Sequence, residues 1–168
     1  MSNYLTARGW LTQGEREILV RYAAAVSSVS YFPCIVNIGV EYGASLHCLK
    51  AGAPQSSLHG VDLDISKFEG DTVAALIRGD STDPDTAAKM SDRIDLLFID
   101  GGHSYNVVLS DISLWTPKVS VGGFVLFHDY SDLPMHAGVL AAVNMWESID
   151  PSWKYVESVD TIRAYQRR

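Results

Sequence analysis

The sequence predicts an α/β fold in which a mostly parallel, seven-stranded sheet carries helices on both faces. Two observations support this prediction. Short apolar runs alternate with segments of helical periodicity along a chain of 168 residues, and this alternation is typical of strands joined by right-handed crossovers. Five of the runs are apolar on both faces, as the inner strands of a covered parallel sheet are.

The predicted strands are the five apolar runs and two segments at the end of the chain. The five runs are CIVNIG, SLHGVDL, TVAALIRGD, IDLLFID and GGFVLFHD. The segments WKYVESV and TIRAYQRR follow, and a turn near Asp160 joins them, so they predict an antiparallel hairpin at one edge of the sheet. The stretch from Asp64 to Asp71 is too short for a full crossover helix, so we expect a reduced second crossover.

The predicted helices occupy the connections between strands. The first covers about 13–28, because Thr12 and Glu15 have capping-box spacing and apolar residues follow at helical spacing. Another begins at Asp83, where Pro84 suits the first helical turn. Three more are predicted at 44–51, which Gly52 ends, at 104–116 and at 136–148. The inward faces of the last two carry Tyr105, Val108, Ile112, Trp115, Val139, Val143 and Trp146.

Length and composition predict a single domain, residues 1–168, with a helical segment at 1–30 before the core at 31–168. The formal net charge is -7, and no basic run is long enough to follow a phosphate backbone, which argues against nucleic acid as the main partner. No signal peptide and no membrane-spanning apolar run is recognisable, so we expect a cytoplasmic protein. The cysteines Cys34 and Cys48 lack the spacing of metal ligands.

Acidic residues stand at the ends of four successive predicted strands. Asp62 ends the second run, Asp80 the third and Asp100 the fourth, and the pair His128 and Asp129 ends the fifth. In such sheets, ligands bind outside the carboxyl ends of the strands. One aspartate there is an ordinary turn residue. Several carboxylates on one rim repel one another, so together they indicate a binding site.

The loop after the first run indicates the kind of ligand. A dinucleotide site needs glycine at the second position of its glycine-rich turn, and GVEYGA has Glu41 there. The charge of Glu41 opposes a pyrophosphate, whereas Gly39 and Gly43 still allow a ligand to approach closely. Asp62 can accept hydrogen bonds from two ribose hydroxyls. A nucleoside with a positively charged tail and no phosphates fits these residues, and S-adenosylmethionine is such a molecule.

These motifs resemble those of the class I S-adenosylmethionine-dependent methyltransferases, and within them a small bacterial O-methyltransferase-like group, methyltransferase family 24. VNIGVEYGAS resembles the first motif of that group, GVDLD the second and IRGDST the third. The segment from IDLLFIDGGHSY through GGFVLFHDY is the most specific match. The resemblance covers nearly the whole chain and implies a Rossmann-like class I methyltransferase fold.

The resemblance implies a set of cofactor-binding residues. It places the glycine loop against the methionine part of the cofactor, Asp62 at the ribose, Asp80 and Ser81 at the adenine edge, and Asp100 at the methyl-transfer centre. The predicted set is Asn37, Gly39, Glu41, Gly43, Ser45, Asp62, Asp80, Ser81 and Asp100. The family usually has an acidic residue where this chain has Asn37, so a charge is lost at that position.

The resemblance also implies a divalent metal. Relatives often hold Mg²⁺ between an acidic residue at the end of the fourth strand and one or two more after the fifth. The matching residues are Asp100, His128 and Asp129. Imidazole is a poor match for Mg²⁺, which prefers oxygen ligands. Three interpretations remain open: His128 lies outside the metal's first ligand shell, the metal is Mn²⁺, or there is no metal.

Asp100 and His103 are the predicted catalytic residues. Methyl transfer to an oxygen requires that the acceptor is positioned and loses its proton. A metal at Asp100 would polarise the acceptor oxygen. His103 would either take the proton, which suits its ordinary pKa, or only orient the helix that begins near Ser104. The other histidines, His47, His59 and His136, are interpreted as structural or exposed.

The acceptor is predicted to be a small molecule with a hydroxyl group, such as a sugar, a polyketide or a phenolic. The chain has no insertion that could form a substrate domain. The acceptor pocket must therefore come from the strand-end loops, the N-terminal segment or a second subunit of a homo-oligomer, and Trp10, Tyr130 and Met135 are candidates to line it. Two alternatives remain: a non-catalytic relative that only binds the cofactor, and a metal-dependent hydrolase.

Overall fold

The computed structural model describes residues 4–70, 74–91 and 93–168. The helices in these residues are α1 (Gln13–Val29), α2 (Ala44–Gly52), α3 (Pro84–Ala87), α4 (Tyr105–Trp115) and α5 (Ala137–Ile149). The strands are β1 (Cys34–Ile38), β2 (Ser57–Asp62), β3 (Ala75–Arg78), β4 (Ile94–Ile99), β5 (Val119–Phe127), β6 (Trp153–Val159) and β7 (Ile162–Arg167). Thr72 and Val73, with which the third predicted strand begins, lie outside the described residues.

The strands form one sheet in the order β3-β2-β1-β4-β5-β7-β6. Strands β1 to β5 are parallel to their neighbours, and β7 is antiparallel to both β5 and β6. This confirms the predicted mostly parallel sheet with a C-terminal hairpin. The chain builds outward from β1 to β3 and then returns to place β4 on the other side of β1, so the strand order reverses between β1 and β4. A ligand site is expected at that point.

Apolar layers cover the two faces of the sheet. On one face, α4 and α5 contribute Trp115 and Trp146 to a buried cluster. On the other face, α1 and α2 contribute Leu19 and Leu46. The residues predicted to face inward on α4 and α5 are buried except Tyr105, which is exposed because it is the first residue of α4 and lies beyond the edge of the sheet-facing stripe.

The helix ends in the connections follow the local sequence signals in some places and tertiary packing in others. Thr12 and Glu15 form the predicted capping box at the start of α1, and Asp83 caps α3, although that helix has only a single turn. Gly52, predicted to end α2, is its last residue, and a Cβ there would lie 2.2 Å from the carbonyl oxygen of Val20, so glycine allows α1 and α2 to approach closely.

The second crossover is reduced as expected. Among the described residues between β2 and β3, only a short 3₁₀ turn at Ile65–Lys67 is helical. No helix in the described part of the chain is both long and apolar enough to cross a membrane.

Candidate active site

A cavity of about 730 Å³ lies at the carboxyl ends of the parallel strands, where the strand order reverses. Its volume is in the range of sites for cofactor-sized ligands. It is lined by loops after β1 to β5 and by Gly9–Leu11, which precede α1. The predicted site residues that line it are Gly39, Glu41, Gly43, Ser45, Asp62, Asp80, Ser81, Asp100, His103, His128 and Asp129.

The glycine loop after β1 turns in conformations that other residues rarely adopt. Gly39 has φ 82° and Gly43 has φ 94°, and Glu41 between them has φ 45°. A Cβ on Gly39 would lie 1.9 Å from the carbonyl oxygen of Asp100. Glycine therefore lets the loop pass directly over the end of β4, so that the glycine loop and Asp100 are adjacent.

Asp62 holds this loop in place. Its Oδ2 accepts hydrogen bonds from the backbone N–H groups of Val40 at 2.7 Å and Glu41 at 3.0 Å. Its Oδ1 accepts from the N–H of Asp64 at 2.9 Å. A carboxylate has about four acceptor positions, so roughly one remains for a ligand. The predicted contact of Asp62 with a ribose stays a prediction, with capacity for one hydroxyl rather than two.

Asn37 lies beneath the loop and not in the cavity. It is fully buried in β1, and its Nδ2 donates a hydrogen bond to the carbonyl oxygen of Gly39, while its Oδ1 has no partner among the described residues. An aspartate could not donate this bond. The amide therefore braces the turn at Gly39, which is a different task from contacting the cofactor.

Helix α4 contains a buried carboxylate that the sequence analysis missed. Asp111 on α4 is fully buried, and neither of its oxygens has a hydrogen-bond partner in the described residues. Burial raises the pKa of Asp111 to about 6, against the opposing effect of Ser81. Asp80 is occupied locally, because its Oδ1 accepts from the Thr82 backbone and hydroxyl. The sequence signal that could have revealed Asp111 is its position as a charged residue within the apolar stripe of α4.

The predicted metal residues do come together, and a fourth residue joins them. We call Glu15, Asp100, His128 and Asp129 the His128 cluster. His128 Nδ1 donates to Asp100 Oδ1 at 2.9 Å and lies 3.2 Å from Asp129 Oδ2. His128 Nε2 lies 3.3 Å from Glu15 Oε2, which is an ion-pair distance, although the N–H is not aligned for a hydrogen bond.

Charges in the His128 cluster follow from these contacts. Burial alone would lower the pKa of His128, but contacts with the three carboxylates outweigh it and raise the pKa to about 12. Burial raises the pKa of Asp100, and the contact with His128 opposes that rise. Burial also acts on Asp129, yet its contact with His128 and the nearby charges lower its pKa. These contacts favour the protonated form of His128.

Glu15 belongs to the site through its tertiary contacts, which the capping-box pattern did not reveal. Its Oε1 accepts from the N–H and hydroxyl of Thr161 at 3.1 and 2.6 Å, and its Oε2 accepts from the N–H of Thr12 at 2.9 Å. Burial would raise the pKa of Glu15, but the contact with His128 and these donors hold it at about 2. Glu15 thus joins α1, the C-terminal hairpin and the cavity.

Asp129 also receives two imidazoles from the cavity side. His103 Nε2 lies 2.8 Å from its Oδ2, and His136 Nε2 lies 3.1 Å from its Oδ1. The Ser131 hydroxyl is 2.7 Å from His136 Nδ1 and can donate to it, which leaves the N–H on Nε2. His136 is buried at the site, so it is not exposed, and its contacts with Ser131 and Asp129 are compatible with the structural role interpreted from the sequence; its spacing from Asp129 carried no recognisable motif.

His103 is placed to exchange a proton with a ligand. Its side chain is 42% exposed, it lines the cavity, and its Nδ1 has no hydrogen-bond partner in the described part of the chain. Asp129 has φ 58°, a conformation that costs a non-glycine residue about 1–2 kcal/mol. This backbone turns the Asp129 carboxylate into contact with the histidines, and the resulting His–Asp pair favours the base interpretation of His103.

Three ligand atoms of Asp100, His128 and Asp129 lie within 4.8 Å of one another, as do those of His103, Asp129 and His136. The first set fits a divalent metal poorly. A nitrogen binds a metal through a lone pair, whereas His128 Nδ1 directs its N–H at Asp100. Without that nitrogen, only two carboxylates remain, and the His128 ring contacts both of them, so a divalent metal would compete with this ring for the same oxygens.

A family model described as "Methyltransferase domain" matches residues 36–130. An uncharacterised protein of Acanthamoeba polyphaga mimivirus is 45% identical over 51 residues, which is 30% of this chain and 23% of that protein. That stretch is a minor part of either protein.

Two solved structures share the fold. The MycE methyltransferase from the mycinamycin biosynthetic pathway, in complex with Mg and SAH, is 18% identical with a TM-score of 0.72 over 98% of this chain and 52% of that one. The O-methyltransferase NovP is 16% identical with a TM-score of 0.70 over 90% and 78%. The chain spans about half the length of MycE, and at these identities the likeness shows the fold alone.

Proposed function

Because this chain belongs to the methyltransferase family whose domain model matches residues 36–130, we propose that it binds S-adenosylmethionine and transfers the methyl group to a hydroxyl of a small molecule. One observation carries the proposal. The glycine loop, the end of β4 at Asp100 and the His103–Asp129 pair open onto the same 730 Å³ cavity. A bound nucleoside and a proton acceptor would thus be adjacent.

The described residues fit this cofactor. Gly39 and Gly43 line the cavity and present no side chain to it, and Glu41 lines it too without an ion-pair partner among the described residues. A free carboxylate there favours a cationic ligand over a pyrophosphate. Asp62 keeps one acceptor position for a ribose hydroxyl, and Asp80 and Ser81 line the cavity where the adenine would lie.

Each chemical step can be assigned to residues of this chain. When bound, S-adenosylmethionine supplies a methyl group on a positively charged sulfur. Asp100 would lie beside the reacting atoms and help to position the acceptor. His103 Nδ1 would take the acceptor's proton as the oxygen forms the new C–O bond and the C–S electron pair stays on sulfur. Asp129 would stabilise the resulting His103 imidazolium, as an orienting carboxylate does in other His–Asp pairs.

The acceptor would enter past apolar side chains. Trp10 and Met135 line the cavity and are both strongly exposed, so they offer an unpaired apolar surface at its mouth. Tyr130 has other contacts, because its hydroxyl donates to Asn144 Oδ1 at 2.6 Å and Arg163 packs on its ring. An acceptor with an apolar ring or skeleton beside its hydroxyl fits this entrance, and the structure of MycE in complex with mycinamycin VI supports a small-molecule acceptor.

A non-catalytic cofactor-binding relative is the second candidate. The observation that favours it is the occupied state of Asp62, whose three backbone partners leave little capacity for a ribose. The metal-dependent hydrolase has less support, because His128 directs its ring nitrogens at carboxylates. No step of the proposed reaction passes through a divalent metal.

Release of S-adenosylhomocysteine tests the proposed function. Protein with saturating S-adenosylmethionine is offered a panel of phenols, sugars and macrocyclic alcohols, and the demethylated product is measured. We expect product with at least one acceptor, and much less with His103→Gln. Protein that binds the cofactor tightly but forms no product with any acceptor would favour the non-catalytic relative.

A further inference from the structure

We propose that His128 is a resident cation that occupies the position of a divalent metal between Asp100 and Asp129, and that Glu15 holds it there. The inference deepens the proposed function, on which it rests for the identity of the reaction. In this arrangement the protein carries its own positive charge at the carboxyl ends of β4 and β5, and methyl transfer proceeds without Mg²⁺ or Mn²⁺.

The first argument is the direction of Nδ1. His128 Nδ1 directs its N–H at Asp100 Oδ1, with 2.9 Å between the two atoms, and Asp129 Oδ2 lies 3.2 Å from the same nitrogen. Asp129 has a lowered pKa and is the ionised neighbour of this nitrogen, and an ionised carboxylate can only accept hydrogen bonds. The proton must therefore lie on Nδ1, and this nitrogen has no lone pair for a metal.

The second argument is the surroundings of Nε2. The nearest acceptor is Glu15 Oε2 at 3.3 Å. If Nε2 were unprotonated, its lone pair would face the lone pairs of a carboxylate in a buried place, where like charges repel strongly. A proton on Nε2 turns this repulsion into attraction. Since both nitrogens then carry protons, the ring is an imidazolium.

The third argument is that the arrangement cannot easily relax. Glu15 is 1% exposed and His128 is 8% exposed. Three donors from Thr12 and Thr161 fix the Glu15 carboxylate. A divalent ion would have to displace His128 from between Asp100 and Asp129, which would leave a buried imidazolium without anions and Glu15 without its cation. Breaking such a buried pair is costly.

The imidazolium also explains how two carboxylates can share this rim. Asp100 and Asp129 would repel each other unless a cation or a shared proton relieved them. In this chain the cation is a side chain, so the relief is permanent. His103 then ionises the acceptor as a base, and no Lewis acid is needed.

Metal titration tests the inference without cofactor or acceptor. Chelator-treated wild-type protein is titrated with Mg²⁺ and Mn²⁺ by calorimetry, beside His128→Asp, which supplies a third carboxylate in place of the cation. We expect no site in the wild type and a gain of affinity of about tenfold or more in the variant. His128→Asp combined with Asp100→Asn is the matched control and should lose the gain.

Three results would overturn the inference. The first is a wild-type Mg²⁺ or Mn²⁺ site that Asp100→Asn removes. The second is a folded His128→Asp variant that gains nothing. The third applies if the variant does not fold: ¹⁵N NMR of the wild type at neutral pH must show both nitrogens of one buried histidine protonated, and a neutral ring there would refute the resident cation. Failure to bind S-adenosylmethionine would refute the proposed function and leave these results intact.

Discussion

At the scale of single residues, the partners of a side chain decide its task more than its type does. Asp62 is a strand-end aspartate of the kind expected to hold a ribose, and it spends most of its acceptor capacity on the backbone of the glycine loop. We therefore predict that binding of the proposed ribose and order in the loop are coupled through the same carboxylate. A ligand that bonds to Asp62 would contact the residue that also fixes the shape of the glycine loop around that ligand.

Asp62→Ala should therefore lose cofactor binding and also destabilise the protein. The backbone N–H groups of Val40, Glu41 and Asp64 would lose an acceptor, at a cost of about 1–3 kcal/mol in the free energy of unfolding. Asp64→Ala is the control, because the Asp64 side chain is exposed and its Oδ1 accepts hydrogen bonds from Ser66 alone among the described residues. Thermal melts with and without S-adenosylmethionine measure both effects, and an Asp62→Ala protein with a wild-type ligand shift would show that the ribose is held elsewhere.

His103→Gln should separate a base from an orienting residue. Glutamine keeps a hydrogen bond to Asp129 but takes no proton near neutral pH, so we expect the methyl-transfer rate to fall by about 10²–10⁴-fold with little change in cofactor affinity. Single-turnover rates measured with an identified acceptor give the result. If the rate stays within about threefold of wild type, His103 only orients the loop after Asp100.

Residues in strand-end motifs could be predicted from the sequence, and residues brought in by tertiary packing could not. The predicted cofactor, catalytic and metal residues that line the cavity all follow parallel strands, whose ends meet by topology. Glu15 comes from the helix before the first strand. The capping box explains the presence of a glutamate at that position, so the sequence gives no reason to expect its contact with His128. His136 lies in a loop without a motif. Asn37 lies near the end of β1 as predicted, but its amide donates to the carbonyl oxygen of Gly39. The neighbouring residues in the sequence do not reveal in which direction that amide points.

At the scale of elements, the glycine loop is the part whose shape allows least change. The carbonyl oxygen of Asp100 lies where a Cβ of Gly39 would be, so this one glycine sets the distance between β1's loop and the end of β4. The contact is backbone on one side and leaves no flexible side chain to move away.

Gly39→Ala should destabilise the protein far more than the same substitution at a glycine that has a similar φ but free space around the added Cβ. Gly122 supplies that comparison, because its φ is 84° and nothing lies within 4 Å of its added Cβ. We expect Gly122→Ala to cost about 1–2 kcal/mol and Gly39→Ala about 3 kcal/mol or more, together with loss of cofactor binding. Urea unfolding of both variants gives the free energies, and equal values would contradict the close approach.

Helix α1 is anchored to the C-terminal hairpin through Glu15, and this contact depends on pH. The pKa of Glu15 is lowered from 4.5 to about 2 on folding, so its contribution to stability is present above pH 4.5 and is lost as the pH falls toward 2. Glu15→Gln should thus be less stable than wild type at neutral pH, and the gap should narrow between about pH 5 and 2.

Glu17→Gln is the control for this effect, because Glu17 is exposed on the same helix and bonds to Gln13. Unfolding free energies at several pH values should show a pH-dependent gap for Glu15→Gln alone. A constant gap would mean that the Glu15 carboxylate keeps an ordinary pKa in the folded protein.

Element boundaries followed the sequence where local chemistry sets them. The capping box began α1 and the apolar runs gave the strands of the sheet. The length of α3 and the last residue of α2 depended on packing against neighbouring helices, and a periodicity argument contains no information about those neighbours.

At the scale of the whole molecule, the topology gathers the site. Chain reversal between β1 and β4 opens a cavity, β5 brings His128 and Asp129 to its floor, and α1 reaches under it through Glu15. The α/β fold class could be predicted from the alternation of strands and helices, and the motifs narrowed it to a methyltransferase-like fold. The acceptor could not be predicted, because the residues at the mouth, Trp10 and Met135, face solvent and have no partner that reveals what they bind.

The central claim is that the cavity is a site for S-adenosylmethionine, and calorimetric titration with S-adenosylmethionine, S-adenosylhomocysteine and NAD tests it most directly. We predict saturable binding of the first two and none of NAD, since Glu41 stands where a pyrophosphate would lie. A ligand at about 100 times its dissociation constant adds about 2.7 kcal/mol, so the melting temperature should rise by about 5–11 °C. Binding of NAD, or no heat and no thermal shift with either S-adenosyl compound, would contradict the account.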